Sequence, residues 1–160
     1  MPEHLSLPAA TDTERLGAAL AGRDPAELRG RVIHLSGELG SGKTTLVRGL
    51  LRALGHEGRA KSPSYTLVEP YAFSRLHLYH FDFYRFKDRT EWLSSGFREH
   101  FNPDTLCVVE WPERAGESLA PADLEIRLSY QGDGRVAVLT AHSPQGEDWL
   151  RSALARSRSS

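Results

Sequence analysis

Cysteine and long apolar runs are scarce in this sequence. The single cysteine, Cys107, excludes an internal disulfide framework and is typical of a reducing compartment. No apolar run approaches the roughly 20 residues needed to span a bilayer. The first residues, Met1 to His4, lack the basic start and apolar stretch of a signal peptide. We therefore expect a cytoplasmic protein that makes no contact with a membrane.

An excess of charge of either sign is also lacking. The net charge is -1 and the isoelectric point is near 6.7. The sequence therefore lacks the basic surplus with which proteins bind bare nucleic acid. We expect no binding to DNA, and contact with RNA through a partner or a local patch. Only three of the 20 basic residues are lysines, so a lysine in a demanding position indicates chemistry that requires it.

The order of apolar segments predicts an α/β fold. The 160 residues suit one compact domain, which we place at 1–155, followed by a polar, mobile tail at 156–160. Thr11 and Glu14 have the spacing of a capping box, with Thr11 as N-cap of a helix ending near Gly22. Strands are predicted at 31–36, 65–73, 76–85, 105–110, 123–130 and 135–141, and helices at 43–54, 90–101 (interrupted at Gly96) and 146–155. Early alternation followed by hairpins predicts a mixed parallel and antiparallel sheet flanked by helices.

Gly37 to Thr44 reads Gly-Glu-Leu-Gly-Ser-Gly-Lys-Thr, a complete phosphate-binding loop between a predicted strand and a predicted helix. Its glycines allow successive N–H groups to point at phosphate oxygens, and the helix that follows directs its positive end at the same anion. Lys43 can reach the β- and γ-phosphates, and Thr44 offers a hydroxyl to Mg²⁺. The Asn/Thr-Lys-x-Asp motif of guanine-specific sites is missing, which favours ATP.

Two acidic residues are candidates for the chemistry. Glu110 ends the apolar strand Cys107-Val108-Val109 and suits Mg²⁺ or the attacking water, although it could instead cap the turn at Pro112. Asp82 shares a strand face with His80 and Tyr84, and its alternative is a structural partnership with Arg85 or with a nearby backbone N–H. His77 and His80 lie on opposite faces of a strand, so a zinc pair is not expected. His77 is expected at a surface or an edge.

Three further features are less specific. Residues 61–66 form a polar turn that could sense the γ-phosphate through its hydroxyls, or could be a plain loop. Trp111 is either a core residue or an exposed contact. Arg85 and Arg114 are weak candidates for an arginine finger.

Together these blocks resemble the TsaE (YjeE) family, the P-loop ATPases of bacterial tRNA threonylcarbamoyladenosine biosynthesis. The resemblance spans about residues 5–140 and rests on four segments: 36–45, 61–69 (Lys-Ser-Pro-Ser-Tyr-Thr-Leu-Val-Glu), 79–85 (Tyr-His-Phe-Asp-Phe-Tyr-Arg) and 109–113 (Val-Glu-Trp-Pro-Glu). It implies a mixed seven-stranded sheet and slow intrinsic hydrolysis of ATP with Mg²⁺. It also implies docking onto TsaB and TsaD, which transfer threonylcarbamoyl to A37 of tRNA, so that tRNA is met indirectly.

The resemblance also implies roles for particular residues. Lys43, Asp82 and Glu110 would be catalytic, and Thr44, Asp82 and Glu110 would serve Mg²⁺. Ser64 stands where the family usually has threonine, which keeps the hydroxyl. The nucleotide would be held by Gly37, Glu38, Leu39, Gly40, Ser41, Gly42, Lys43, Thr44 and Thr45, with the adenine between Thr11 and Arg135. A switch and partner-sensing group would comprise Ser62, Ser64, Thr66, His80, Tyr84, Arg85 and Trp111.

Two other functions remain open from the sequence. A small-molecule kinase would share the phosphate loop, but would need an acceptor pocket and an arginine-bearing lid. A docking switch would bind ATP to control association, with hydrolysis incidental.

Overall fold

A computed structural model of the chain describes residues 2–38, 40–60, 67–86 and 89–158. The strands are β1 (Glu3–Leu7), β2 (Arg31–Gly37), β3 (Val68–Phe73), β4 (Leu76–Asp82), β5 (Thr105–Glu110), β6 (Leu124–Gln131) and β7 (Gly134–Ala141). The helices are α1 (Ala10–Ala21), α2 (Lys43–Ala53), α3 (Arg89–Ser94) and α4 (Pro144–Arg158). Short 3-10 turns occupy Pro25–Leu28, Phe97–His100, Pro112–Arg114 and Gly116–Ser118.

The seven strands form one mixed sheet in the order β1-β7-β6-β2-β5-β4-β3. The central strands β6, β2, β5 and β4 run parallel, and the pairs β1–β7, β6–β7 and β3–β4 are antiparallel. This confirms the predicted fold class. The carboxyl ends of β2, β5 and β4 lie side by side, which is where open α/β sheets bind their ligands.

The sheet is covered on both faces. Successive residues of β5 alternate between two apolar clusters: Leu106 and Val108 pack with side chains of α1, α2 and α4, whereas Cys107 and Val109 pack with an aromatic cluster around Phe81 and Trp92. All six residues of β5 are buried, as expected of a central parallel strand. No helix in the described ranges is long and apolar enough to cross a membrane.

Several predicted elements need correction. Strand β1 was not predicted. Helix α1 begins at Ala10 after Ala9 as N-cap, and the Asp12 carboxylate accepts a hydrogen bond from the Ala9 N–H at 2.9 Å, so the prediction of Thr11 as N-cap is wrong. Helix α4 continues to Arg158, and the Arg156 Nε in its last turn donates to the Ala19 carbonyl of α1 at 2.8 Å. The predicted tail is therefore helical through 158, and 159–160 lie outside the described residues.

Three other predictions hold, the first of them in part. Strand β4 ends at Asp82, so His80 and Asp82 share a face as expected, while Tyr84 lies in the turn that follows. His77 is exposed, as predicted. The predicted interruption at Gly96 is confirmed, because α3 ends at Ser94 and Gly96 adopts a φ of 79° before the 3-10 turn.

Candidate nucleotide and magnesium site

The phosphate loop joins the end of β2 to the start of α2, as its sequence predicts. Gly37 has a φ of 150°, and a Cβ there would lie 2.5 Å from the Ser41 Oγ and 2.6 Å from the Leu128 carbonyl oxygen. Gly42 has a φ of 107°, in the left-handed region that side chains rarely adopt. The loop backbone therefore follows a path that only glycine fits at these positions.

Lys43 is folded over its own loop. Its Nζ donates to the Gly37 carbonyl and to the Glu38 carbonyl, the latter at 3.2 Å, and lies 4.9 Å from the centre of the Trp111 ring. Burial lowers the pKa of the Lys43 ammonium, while the nearby carboxylates Glu110 and Asp82 oppose that shift. Lys43 is buried, and its ammonium is held by neutral acceptors, an arrangement suited to exchange for an anion.

The loop also contains a buried hydroxyl that lacks a partner. Ser41 is 1% exposed, and its Oγ makes no hydrogen bond within the described part of the chain. A buried hydroxyl without a partner costs free energy. The orphaned Ser41 Oγ, the glycine path and Lys43 together fit a bound phosphate group.

Asp82 and Glu110 end neighbouring parallel strands and are paired in register. Both line a cavity of about 330 Å³ with Lys43 and Thr44. Burial raises the pKa of the Asp82 carboxyl, the Tyr84 N–H that donates to its Oδ1 at 3.0 Å opposes the shift, and the Glu110 charge adds to it. A cation entering the cavity would relieve this crowding of negative charge.

The oxygen donors of this cavity fit magnesium. Hydroxyl and carboxylate oxygens of Thr44, Asp82 and Glu110 are hard ligands, which Mg²⁺ prefers. Within the described ranges, no three His, Cys, Asp or Glu side chains are grouped so that they could hold a metal. Magnesium commonly uses one or two carboxylates and takes its remaining ligands from water and phosphate, so two carboxylates are sufficient.

His80 is not at the surface. Its side chain is 1% exposed, and its Nε2 lies 2.5 Å from the Glu110 Oε2. Its side chain is buried between strands and contacts an acid of the site, and its predicted part in a switch stays a prediction. Sequence reasoning placed His80 and Glu110 on separate strands, but it could not supply the register that joins them.

Aromatic rings lie at the edge of the cavity. Tyr84 and Trp111 have ring centres 4.9 Å apart, and Trp111 adopts a left-handed φ of 57°. Arg114 lies over both rings, and its Nη1 donates to the Phe86 carbonyl at 3.0 Å. Arg85 lines the cavity, whereas Arg114 does not. Trp111 thus borders the site, and Arg114 has structural contacts that occupy its guanidinium.

The region predicted for adenine lies beside the loop. Arg135 donates from its Nη2 to the Gly40 carbonyl at 3.1 Å and stacks 4.3 Å from the centre of the Tyr130 ring. A cavity of about 170 Å³ is lined there by Thr13, Thr45 and Arg135 among others. Thr11 is exposed and does not line this cavity, whereas Thr13, on the buried face of α1, does; the predicted contact of Thr11 with adenine stays a prediction.

Several predicted residues lie outside the described ranges. They are Leu39 of the phosphate loop and the hydroxyl-bearing residues Ser62, Ser64 and Thr66. Their predicted roles stay predictions.

Comparison with known proteins identifies close relatives. The family described as threonylcarbamoyl adenosine biosynthesis protein TsaE matches residues 7–137. The chain is 43% identical to the tRNA threonylcarbamoyladenosine biosynthesis protein TsaE of Haemophilus influenzae, over 73% of this chain and 74% of that one. It is 36% identical to the protein of the same name from Treponema pallidum, over 82% of this chain and 95% of that one. The crystal structure of Bacillus subtilis YdiB superposes with a TM-score of 0.79 at 25% identity, over 97% and 95%.

Proposed function

Because this chain belongs to the TsaE family of tRNA threonylcarbamoyladenosine biosynthesis proteins, we propose that it binds ATP with Mg²⁺ and hydrolyses it slowly. It would do so in the cytoplasm as a component of the machinery that modifies A37 of tRNA, acting with TsaB and TsaD. Contact with tRNA would be indirect. The observation that carries the proposal is the convergence of the phosphate loop, Lys43, Asp82 and Glu110 on one cavity.

Phosphate binding is supported by the loop and Lys43. The loop N–H groups at the start of α2 and the Lys43 ammonium are the donors that triphosphates use in loops of this type. Lys43 already lines the cavity, and its contacts among the described residues are carbonyls and an aromatic face. A phosphate would replace these neutral acceptors by charged ones, which form stronger hydrogen bonds.

Magnesium would neutralise charge on the β- and γ-phosphates when bound. Thr44, Asp82 and Glu110 are the residues that would hold it. The same two carboxylates are the candidates to orient the attacking water, and Lys43 would stabilise charge on the γ-phosphoryl oxygens.

Slow turnover is supported by the lining of the cavity. Among the residues that the structure describes, Lys43 and Arg85 are the cations that line it, and no glutamine does. Arg114, the second arginine-finger candidate, donates to the Phe86 carbonyl instead. A partner that supplied a further cation or ordered the site would accelerate hydrolysis.

The test is ATP hydrolysis by the purified chain, alone and with TsaB, TsaD and substrate tRNA, beside Lys43→Ala. We expect low activity alone, a rise with the partners and no activity in the variant. Brisk hydrolysis that ignores the partners would refute the place in tRNA modification. The same reactions run with γ-³²P-ATP distinguish the alternative of a kinase, which would move label onto a metabolite.

A docking switch is distinguished by a second variant. Glu110→Ala should abolish hydrolysis while leaving the phosphate loop intact. If TsaB, TsaD and tRNA, supplied with a threonylcarbamoyl donor, still produce the modified nucleoside with this variant, hydrolysis is incidental. The proposed function requires that both activities are lost.

A further inference from the structure

His80 and Glu110 form a buried polar pair beside the proposed magnesium site. Their side chains are 1% and 6% exposed, and the distance between His80 Nε2 and Glu110 Oε2 is 2.5 Å. His80 lies opposite Val108 across the β4–β5 ladder, and Asp82 lies opposite Glu110. The imidazole therefore reaches diagonally along one face of the sheet, over two residues of β5, from the level of Val108 to the carboxylate of Glu110 at the strand end.

The hydrogen bond defines which atom donates. An ionised carboxylate only accepts hydrogen bonds, so His80 Nε2 carries the proton that is shared with Glu110 Oε2. His80 Nδ1 is buried and has no partner within the described part of the chain. A hydrogen on Nδ1 would be a buried N–H without an acceptor, so the hydrogen that faces Glu110 is assigned to Nε2.

Glu110 is held at two points. Its backbone carbonyl accepts from the Phe83 N–H at 3.1 Å, and its Oε2 accepts from His80. Its Oε1 has no protein donor in the described ranges, and Glu110 lines the nucleotide cavity. The hydrogen bond from His80 to Oε2 thus orients the carboxylate, and Oε1 remains available to a group bound in the cavity.

We propose that His80 is a positioning residue, which fixes the Glu110 carboxylate so that its free oxygen serves magnesium or the attacking water. The role rests on the proposed function of the cavity. His80 does not itself touch nucleotide or metal, since it lies behind Glu110 in the sheet. Partners of this kind orient ligands of metals, and their loss costs about 10- to 100-fold in metal affinity or activity.

Three substitutions separate positioning from a purely structural role. His80→Gln keeps an N–H donor near the position of Nε2, whereas the amide of His80→Asn is too short to reach it. His80→Phe fills the space without any donor. Thermal unfolding of each variant identifies those that fold. If His80→Phe does not fold, the comparison of His80→Gln with His80→Asn is sufficient to test the role.

The measurement is the affinity for ADP by calorimetry, with EDTA and with Mg²⁺, together with the steady-state hydrolysis rate. In EDTA all folded variants should bind within about twofold of the unchanged chain, because the phosphate loop and Lys43 are untouched. The gain in affinity from Mg²⁺ should fall about 10-fold in His80→Asn and His80→Phe. His80→Gln should recover most of that gain and of the rate.

Two results would overturn the positioning role while leaving the proposed function standing. One uses Glu110→Gln as a control. The positioning role fails if His80→Asn keeps the normal gain in ADP affinity from Mg²⁺ and the normal hydrolysis rate, while Glu110→Gln has lost both the gain and the rate. The other is an equal loss of affinity in EDTA and in Mg²⁺, which would indicate general loosening of the site. Absence of any Mg²⁺ effect or hydrolysis in the unchanged chain would instead remove the proposed function, and the positioning role with it.

Discussion

Two glycines set the distance between α1 and the helix that carries the phosphate loop. A Cβ on Gly17 of α1 would lie 1.9 Å from the Leu46 carbonyl oxygen of α2, and a Cβ on Gly49 of α2 would lie 2.1 Å from the Glu14 carbonyl oxygen. Real Cβ atoms essentially never approach closer than 3.0 Å, so Gly17→Ala must move the helices apart by about 1 Å. We predict that this substitution destabilises the protein.

The magnitude follows from two opposing effects. Alanine within a helix is more favourable than glycine by about 0.5–1 kcal/mol. Overpacking of a dense core costs about 1–3 kcal/mol, and the upper end applies here because the obstacle is backbone and Leu46 and Leu50 beside it are fully buried. We expect a net loss of about 2 kcal/mol, which lowers the melting temperature by about 4–8 °C in a domain of this size.

Urea denaturation followed by circular dichroism measures the change. Ala18→Gly, at the next position of α1, is the matched control and should lose only the propensity difference, about 0.5–1 kcal/mol. Because α2 begins at Lys43, the affinity of Gly17→Ala for ADP should fall as well. A midpoint equal to or above that of the unchanged protein would refute the reasoning, since propensity alone would then account for the result.

Other predictions concern the cavity and the core beneath it. Burial raises the pKa of Asp82, because the ionised side chain is desolvated. Its protonated carboxyl group therefore contributes stability that is fully present below the unfolded pKa and is lost as the pH rises through the folded pKa. At pH 7, Asp82→Asn should raise the melting temperature without nucleotide and weaken Mg²⁺-dependent ADP binding; an unchanged or lower melting temperature would contradict this. Burial raises the pKa of Cys107 to about 12, so at pH 8 the native thiol should react with Ellman's reagent at least ~100-fold more slowly than the denatured chain; similar rates would show that the thiol is accessible. ATP should draw Lys43 from the Trp111 ring, 4.9 Å away, and change tryptophan emission. The change should disappear in Trp111→Phe, with ATP binding by that variant checked by calorimetry; its persistence there would assign the signal to another tryptophan.

The sequence predicts those parts of the fold where one segment carries its own signal. The phosphate loop, β2, α2 and β5 have local patterns, and each appears at the predicted place within a residue or two. Strand β1 has five residues, and what makes it a strand is its pairing with β7 at the far end of the chain. The start of α1 was misplaced because Thr11 and Asp12 both suit a helix beginning, and the choice depends on where Ala9 leaves β1.

The sequence predicts which residues form the site better than it predicts which of them touch. Motif spacing identified Lys43, Thr44, Asp82 and Glu110, and the structure brings these four together. The bond between His80 and Glu110 depends on strand order and register, which no local pattern contains. The sequence contains a weak signal that Thr13 faces inward, since Thr13 lies on the face of α1 that carries Leu16 and Leu20.

The order of strands also constrains when the protein can fold during synthesis. The central strand β2 leaves the ribosome early, but its neighbours β5 and β6 are made long afterwards: Arg31 pairs with Leu106 and Ile33 with Leu124. The first strand waits longest, because Glu3 pairs with Leu139. Non-local pairing of this kind slows folding. The phosphate loop therefore emerges before the strands that support it, and a nascent chain should gain nucleotide affinity only near the end of translation.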